Sequence, residues 1–122
     1  MAARIVVVHP DAEHGSAIAS ACCALGFKAS RFTDPIDAIS YIERSPPRAL
    51  VTAVWFGEGK LHGIALTLMA RLRNPSLTTL LIAEPLHQAE AQRIAECVPA
   101  PGQPAVIAET LSRLIGIDSA PA

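Results

Sequence analysis

Two kinds of hydrophobic run succeed one another along the chain. Arg4-Ile5-Val6-Val7-Val8, Ala49 to Phe56 and Thr78 to Ala83 are short, continuous and mostly apolar. Such runs predict strands buried on both faces of a parallel sheet. Phe27 to Phe32 is shorter and more polar, as suits a sheet edge, and Cys97-Val98 allows only a brief fifth strand. Between these runs the apolar positions recur at helical spacing. Ile18, Ala21, Cys22 and Leu25 mark the buried side of a first helix, and Ile36, Ile39 and Ile42 that of a second. Leu61, Ala65, Leu68 and Leu72 line a third, whose Thr67, Arg71 and Asn74 are expected to face water. His87 to Glu96 has only Ala91, Ile94 and Ala95 as an apolar side, the weakest stripe in the chain. Ile107, Leu111, Leu114 and Ile115 give the last helix a full one.

Local punctuation agrees with these boundaries. Pro10 lacks a backbone donor and belongs past the first strand, and Asp11 after it offers a helix N-cap. Asp34-Pro35 sets a capping residue before a proline at the first helical position. Gly26, Ser45-Pro46-Pro47 and Asn74-Pro75 are stop signals. Gly57-Glu58-Gly59 is a turn, and Pro99, Pro101 and Pro104 punctuate the final loop. Strands alternating with helices imply right-handed crossovers and a parallel sheet. The predicted fold class is α/β, a flavodoxin-like (βα)5 three-layer sandwich with a five-strand parallel sheet in the order 2-1-3-4-5. Its ligand crevice is expected at the carboxyl ends of strands 1 and 3. Residues 1–122 are expected to form a single domain with its core over about 4–116, leaving 117–122 as a frayed tail or linker.

Composition narrows the function classes. Half the residues are hydrophobic (51%) and only 17% are charged, below the roughly 25% of an average globular chain. A net charge of −1 creates no field that would draw nucleic acid or anionic lipid. No run reaches the roughly 18 apolar residues of a membrane span, and the apolar run after Met-Ala-Ala-Arg is too short for a signal-peptide core. The expected location is the cytoplasm, with no direct nucleic-acid or membrane partner. Cys22, Cys23 and Cys97 are odd in number and two are adjacent, which is no disulfide framework. Cys22 lies on an apolar stripe and reads as a small core residue.

The segment Pro47-Arg48-Ala49-Leu50-Val51-Thr52-Ala53-Val54-Trp55-Phe56-Gly57-Glu58-Gly59 is followed by His62-Gly63-Ile64-Ala65-Leu66. This resembles the strand-loop-helix of bacterial response-regulator receiver domains in two-component signalling, and element order and length agree over about 4–116. In that family an acidic pair after the first strand holds Mg²⁺ together with a phosphate-accepting aspartate ending the third. A Thr or Ser ends the fourth strand, and a Lys before a proline ends the fifth. Carried over residue by residue, the acidic pair falls on His9 and Pro10, the acceptor on Ala53, the hydroxyl on Ala83 and the lysine on Ala100. The resemblance therefore implies a degenerate phosphorylation pocket formed by His9, Pro10, Asp11, Ala53, Ala83 and Ala100. The span from Ala83 to Ala100 is also several residues shorter than the family's, so the region from the fourth helix to the fifth strand must be reshaped.

What remains is a short set of candidates. Asp11 reads as an N-cap rather than a surviving ligand, and Glu58 as a solvated turn residue that a permanent-charge role could also use. Asp34 and Asp37 are assigned to the second helix, far from the crevice mouth. His9, His14 and His62 with Asp11 are candidates for a transition metal, but they lack tight ligand spacing; no metal and no cofactor is expected. Trp55 and Phe56 supply two of five aromatic residues. They either fill the core beside Ala53, which is favoured, or lie exposed as a binding anchor. The reading that results is a non-enzymatic pseudo-receiver that binds a protein partner in a signalling pathway without being phosphorylated. A homodimer through the fourth helix, fifth strand and fifth helix would suit it. Two alternatives stay open: phosphorylation at a non-aligned carboxylate such as Asp11 or Glu58, and a pseudo-receiver sensing a small ligand. A flavodoxin-like nucleotide enzyme is disfavoured because His-Pro-Asp stands where a Gly-rich phosphate loop would follow the first strand.

Overall fold

The computed structural model describes residues 2–119. Strands and helices alternate through them: β1 (Arg4–Val8), α1 (Ala12–Ala24), β2 (Lys28–Phe32), α2 (Pro35–Arg44), β3 (Ala49–Ala53), α3 (Gly63–Arg73), β4 (Thr78–Ala83), α4 (Pro85–Gln92), β5 (Glu96–Pro99) and α5 (Pro104–Ser119). Every strand pairing is parallel and the sheet order is β2-β1-β3-β4-β5, the flavodoxin-like arrangement that the pattern predicts. β3 and β4 are buried along their whole length, whereas the edge strands β2 and β5 are only partly covered.

Side chains alternate across the sheet with a period of two. Ile5, Val7, Ala49, Val51, Leu80 and Ile82 pack with Ile18, Cys22, Ile107 and Leu111, beneath α1 and α5. Val6, Val8 and Leu50 point the other way, to Ala38, Ile39 and Ile42 of α2 and Leu66 and Ala70 of α3. A smaller cluster of Val54, Ile64, Leu81, Ala83 and Ala91 lies under α4. Cys22 is fully buried, and burial together with the neighbouring Cys23 pushes its thiol up to about 11. It is a core residue, as its place on the stripe suggests.

Several expectations need correction. α3 is rotated from the face its leucines predict: Leu68 and Leu72 are exposed, while Thr67 is fully buried together with Gly63, Ile64, Leu66 and Ala70. The cause is at the helix start. The Gly63 N–H donates to the Val54 carbonyl at 2.8 Å. A Cβ on Gly63 would collide with the Ala53 carbonyl and lie 2.9 Å from the Val54 Cα. This close approach sets the small residues Gly63, Thr67 and Ala70 against the sheet and turns Leu68 and Leu72 outward. Thr67 satisfies its hydroxyl within the helix by donating to the Gly63 carbonyl at 2.9 Å.

On α1, Leu25 is exposed and Ala21 only half-buried, and on α2 Ile36 is exposed. β3 stops at Ala53, three residues short of Phe56. α4 begins at Pro85, a residue suited to the first helical position, and ends at Gln92. Ile94 and Ala95 therefore lie beyond that helix, packed against the cluster beneath it. α5 continues through Ser119, well into the tail expected to fray; residues 120–122 lie outside the described residues.

Candidate functional site

The sheet register brings the ends of four strands to one edge. Val8 is opposite Thr52, Ala53 opposite Ile82, and Ala83 opposite Pro99. His9, Ala53, Ala83 and Ala100 thus emerge along the same carboxyl edge. Ala53 and Ala83 are buried, and the Ala100 N–H donates to the Ala83 carbonyl at 2.9 Å. The peptide between Ala100 and Pro101 is cis.

The turn after β1 is tied down by its own side chains. Asp11 Oδ1 accepts from the Glu13 N–H at 3.0 Å and the His14 N–H at 3.3 Å, the N-cap geometry of α1. The Asp11 N–H in turn donates to His9 Nδ1 at 3.0 Å. An imidazole accepting at Nδ1 is neutral with its proton on Nε2. Burial, and then the nearby His14, keeps His9 below its ordinary 6.5, while Asp11 opposes that shift. His14 stacks at a tilt on His9, with ring centroids 4.9 Å apart, and its Nε2 lies 2.6 Å from the Pro101 carbonyl. Only a protonated Nε2 can donate there, which sets the tautomer.

Mg²⁺ takes hard oxygen ligands in near-octahedral geometry. His9, Pro10 and Ala53 carry no side-chain oxygen, and Asp11 Oδ1 is engaged by two backbone amides. These side chains do not fit that ion. Beside His9 lies a recess of about 330 Å³ lined also by Arg31, Thr33 and Asp37. Asp37 thus shares a recess with His9 on the β2 side of β1, away from Ala53, Ala83 and Ala100.

The remaining candidates separate. Phe56 is half-buried and joins the α2–α3 cluster, but Trp55 is 42% exposed. The expectation that the pair fills the core thus holds for one ring only, because the chain leaves the sheet at Ala53. Glu58 is exposed between Gly57 and Gly59, whose φ angles of 107° and 77° favour glycine. His62 does not join His9 and His14. It caps α3, with its Nδ1 accepting from the Ile64 N–H at 3.4 Å. Among the described residues, no group of three or more His, Cys, Asp or Glu could hold a metal ion.

Instead, His62 meets Trp55 and His87. Trp55 and His87 lie nearly parallel at 16° with centroids 5.7 Å apart, and His62 stands edge-on to both, at 69° and 77°. With Ile64, Ala65, Leu68 and Glu90 they line an open recess of about 450 Å³ between α3 and α4. Burial, followed by the proximity of His87, lowers the His62 pKa from 6.5, and Glu90 acts in the opposite sense. His87 is the site residue that sequence reasoning missed. It lies on the weakest stripe, and its ring partners are remote in sequence, so no local signal marks it.

No protein-family model matches the chain, and no curated protein matches it in sequence. Solved structures match its fold. NtrX from Brucella abortus superposes with a TM-score of 0.83 and 20% identity, covering 97% of this chain and 28% of NtrX. This chain thus spans little more than a quarter of that protein. The receiver domain of NtrX alone gives 0.78 and 19%, covering 91% of this chain and 97% of that one. A CheY-like response regulator receiver domain protein from Methanospirillum hungatei gives 0.84 and 11%, covering 97% of each chain. At these identities the likeness is one of fold: the chain has the receiver-type flavodoxin-like fold. Among the described residues no helix is long and apolar enough to cross a membrane.

Proposed function

We propose that this chain is a receiver-type module of two-component signalling that acts by binding a protein partner, without accepting a phosphoryl group. The observation that carries this reading is the chemistry of the carboxyl edge. Phosphoryl transfer to a carboxylate needs a nucleophilic oxygen, a metal to neutralise charge, and a cation and hydroxyl for the transferring group. The residues at the strand ends are His9, Ala53, Ala83 and Ala100, and the carboxylate of Asp11 caps α1. Alanine supplies none of the required groups. A domain surface held on a rigid sheet can still present a docking face, and a cytoplasmic signalling partner is the occupant proposed for it.

The test is an amide NMR titration with Mg²⁺ and then with Mg²⁺ plus beryllofluoride, which mimics a bound phosphoryl group. Residues 9, 11, 53–58, 83 and 100 are expected to stay silent, and Asp11→Asn to change nothing in that experiment. Saturable shifts at those positions, abolished by Asp11→Asn, would establish a working carboxylate and overturn the reading.

A further inference from the structure

α3 packs along α2, and no comparable contact joins it to α4. The gap between α3 and α4 is the recess of about 450 Å³. Two features set it apart from a chance surface dent. First, its rings form a corner: the Trp55–His87 pair makes one wall, and His62 stands steeply to it. Second, Glu90 supplies the only carboxylate among its lining residues, and no Lys or Arg lines it. Leu68, one of the lining residues, is 46% exposed; Leu72 (84%) follows it by four residues on α3, and Leu86 (87%) precedes His87 on the first turn of α4.

From this arrangement we infer that the α3–α4 groove is the docking site for a partner-protein segment that inserts an arginine into the Trp55–His62–His87 corner, beside Glu90, and lays flanking leucine-like side chains on Leu68, Leu72 and Leu86. The inference rests on the protein-binding reading above and names the partner's chemistry. Aromatic faces carry negative potential and attract cations, most strongly where water is displaced. A guanidinium fits better than an ammonium because it is planar, weakly hydrated, stacks on rings and pairs with a carboxylate through a fixed fork of donors. A neutral imidazole on the wall suits a cation, and partial burial followed by the proximity of His87 lowers the His62 pKa from 6.5.

The chain has one tryptophan, so intrinsic fluorescence reports on this corner without labelling. The probe is an acetylated, amidated peptide with one arginine between leucines, compared with the same peptide carrying neutral citrulline. The expected result is a saturable Trp55 signal with the arginine peptide and roughly tenfold weaker binding of the citrulline peptide, the scale of a desolvated cation–π contact with ion pairing. Glu90→Gln, at an exposed position that leaves the fold intact, should weaken the arginine peptide by a similar factor. The groups facing His62 are His87 and Glu90. Protonating His62 opposes a cation, so affinity should fall as pH drops below 6.5.

Equal binding of both peptides, or indifference to Glu90→Gln, would overturn the inference. So would self-association that disappears in Trp55→Ala, which would give the groove to a second copy of this chain. The phosphoryl mimic is titrated without peptide and read at residues 9, 11, 53, 83 and 100, none of which lines the groove. Silence there with no peptide binding would remove the groove proposal and leave phosphorylation-independent binding standing. Shifts there would remove that reading, whatever the peptide does.

Discussion

On one side of the sheet, α1 and α5 lie against each other, and Ile18, Cys22, Ile107 and Leu111 all turn inward onto the strands. On the other side α2 and α3 pack together, but α3 presents Leu68 and Leu72 to solvent, and α4, with eight residues, covers only a small cluster. The same sheet thus carries a closed layer and an open one. The difference does not come from a want of large apolar residues, since α3 carries Leu66, Leu68 and Leu72. It arises because Gly63 permits α3 to approach the end of β3 so closely that its small residues, rather than its leucines, meet the sheet. Contiguous exposed apolar patches mark surfaces for partners, and Leu68 lines the same recess as the ring corner.

Truncating the two stripes would sharpen this contrast most. Leu111→Ala, on the closed layer, removes a fully buried side chain and should cost about 3 kcal/mol, the usual range for a buried leucine. The measurement is the urea midpoint at unchanged slope. Gly63→Ala should cost less, about 2 kcal/mol, the scale of overpacking a tight contact. It should also perturb the amide signals of Ala53 and Val54, because its Cβ meets that backbone. An unperturbed Gly63→Ala protein would break the explanation for the rotated helix. The smallest effect is expected at Leu72→Ala, within about 0.5 kcal/mol, as at other exposed positions. A loss there equal to that at Leu111 would mean the open layer is closed in solution.

The architecture was largely legible in the chain. Continuous apolar runs gave the three central strands, and capping pairs such as Asp34-Pro35 and Asp11 gave helix starts that hydrogen bonds bear out. The end of the third strand was not legible from the apolar run, which continues to Phe56 while β3 stops at Ala53; only the family resemblance pointed to Ala53. Less was visible where the outcome depended on contacts between remote segments. Trp55 and Phe56 are neighbours in sequence, yet one is packed and the other exposed, since the chain departs from the sheet between Ala53 and Phe56. Asp37 and His9, 28 residues apart, line one recess.

By itself the sequence determined the alternation of strands and helices and the helix starts at Asp11 and Asp34. These are local properties: periodicity, caps and residue identity act over a turn or a strand and do not depend on neighbours. Only the tertiary structure decided which face of α3 is buried and where α4 begins and ends. It also decided that His62 joins Trp55 and His87 rather than His9 and His14. Helix rotation is set by the closest backbone contact the sheet allows, and a ring cluster by the distance between elements. Both are fixed when the layers pack, and neither is written in the spacing of any single segment.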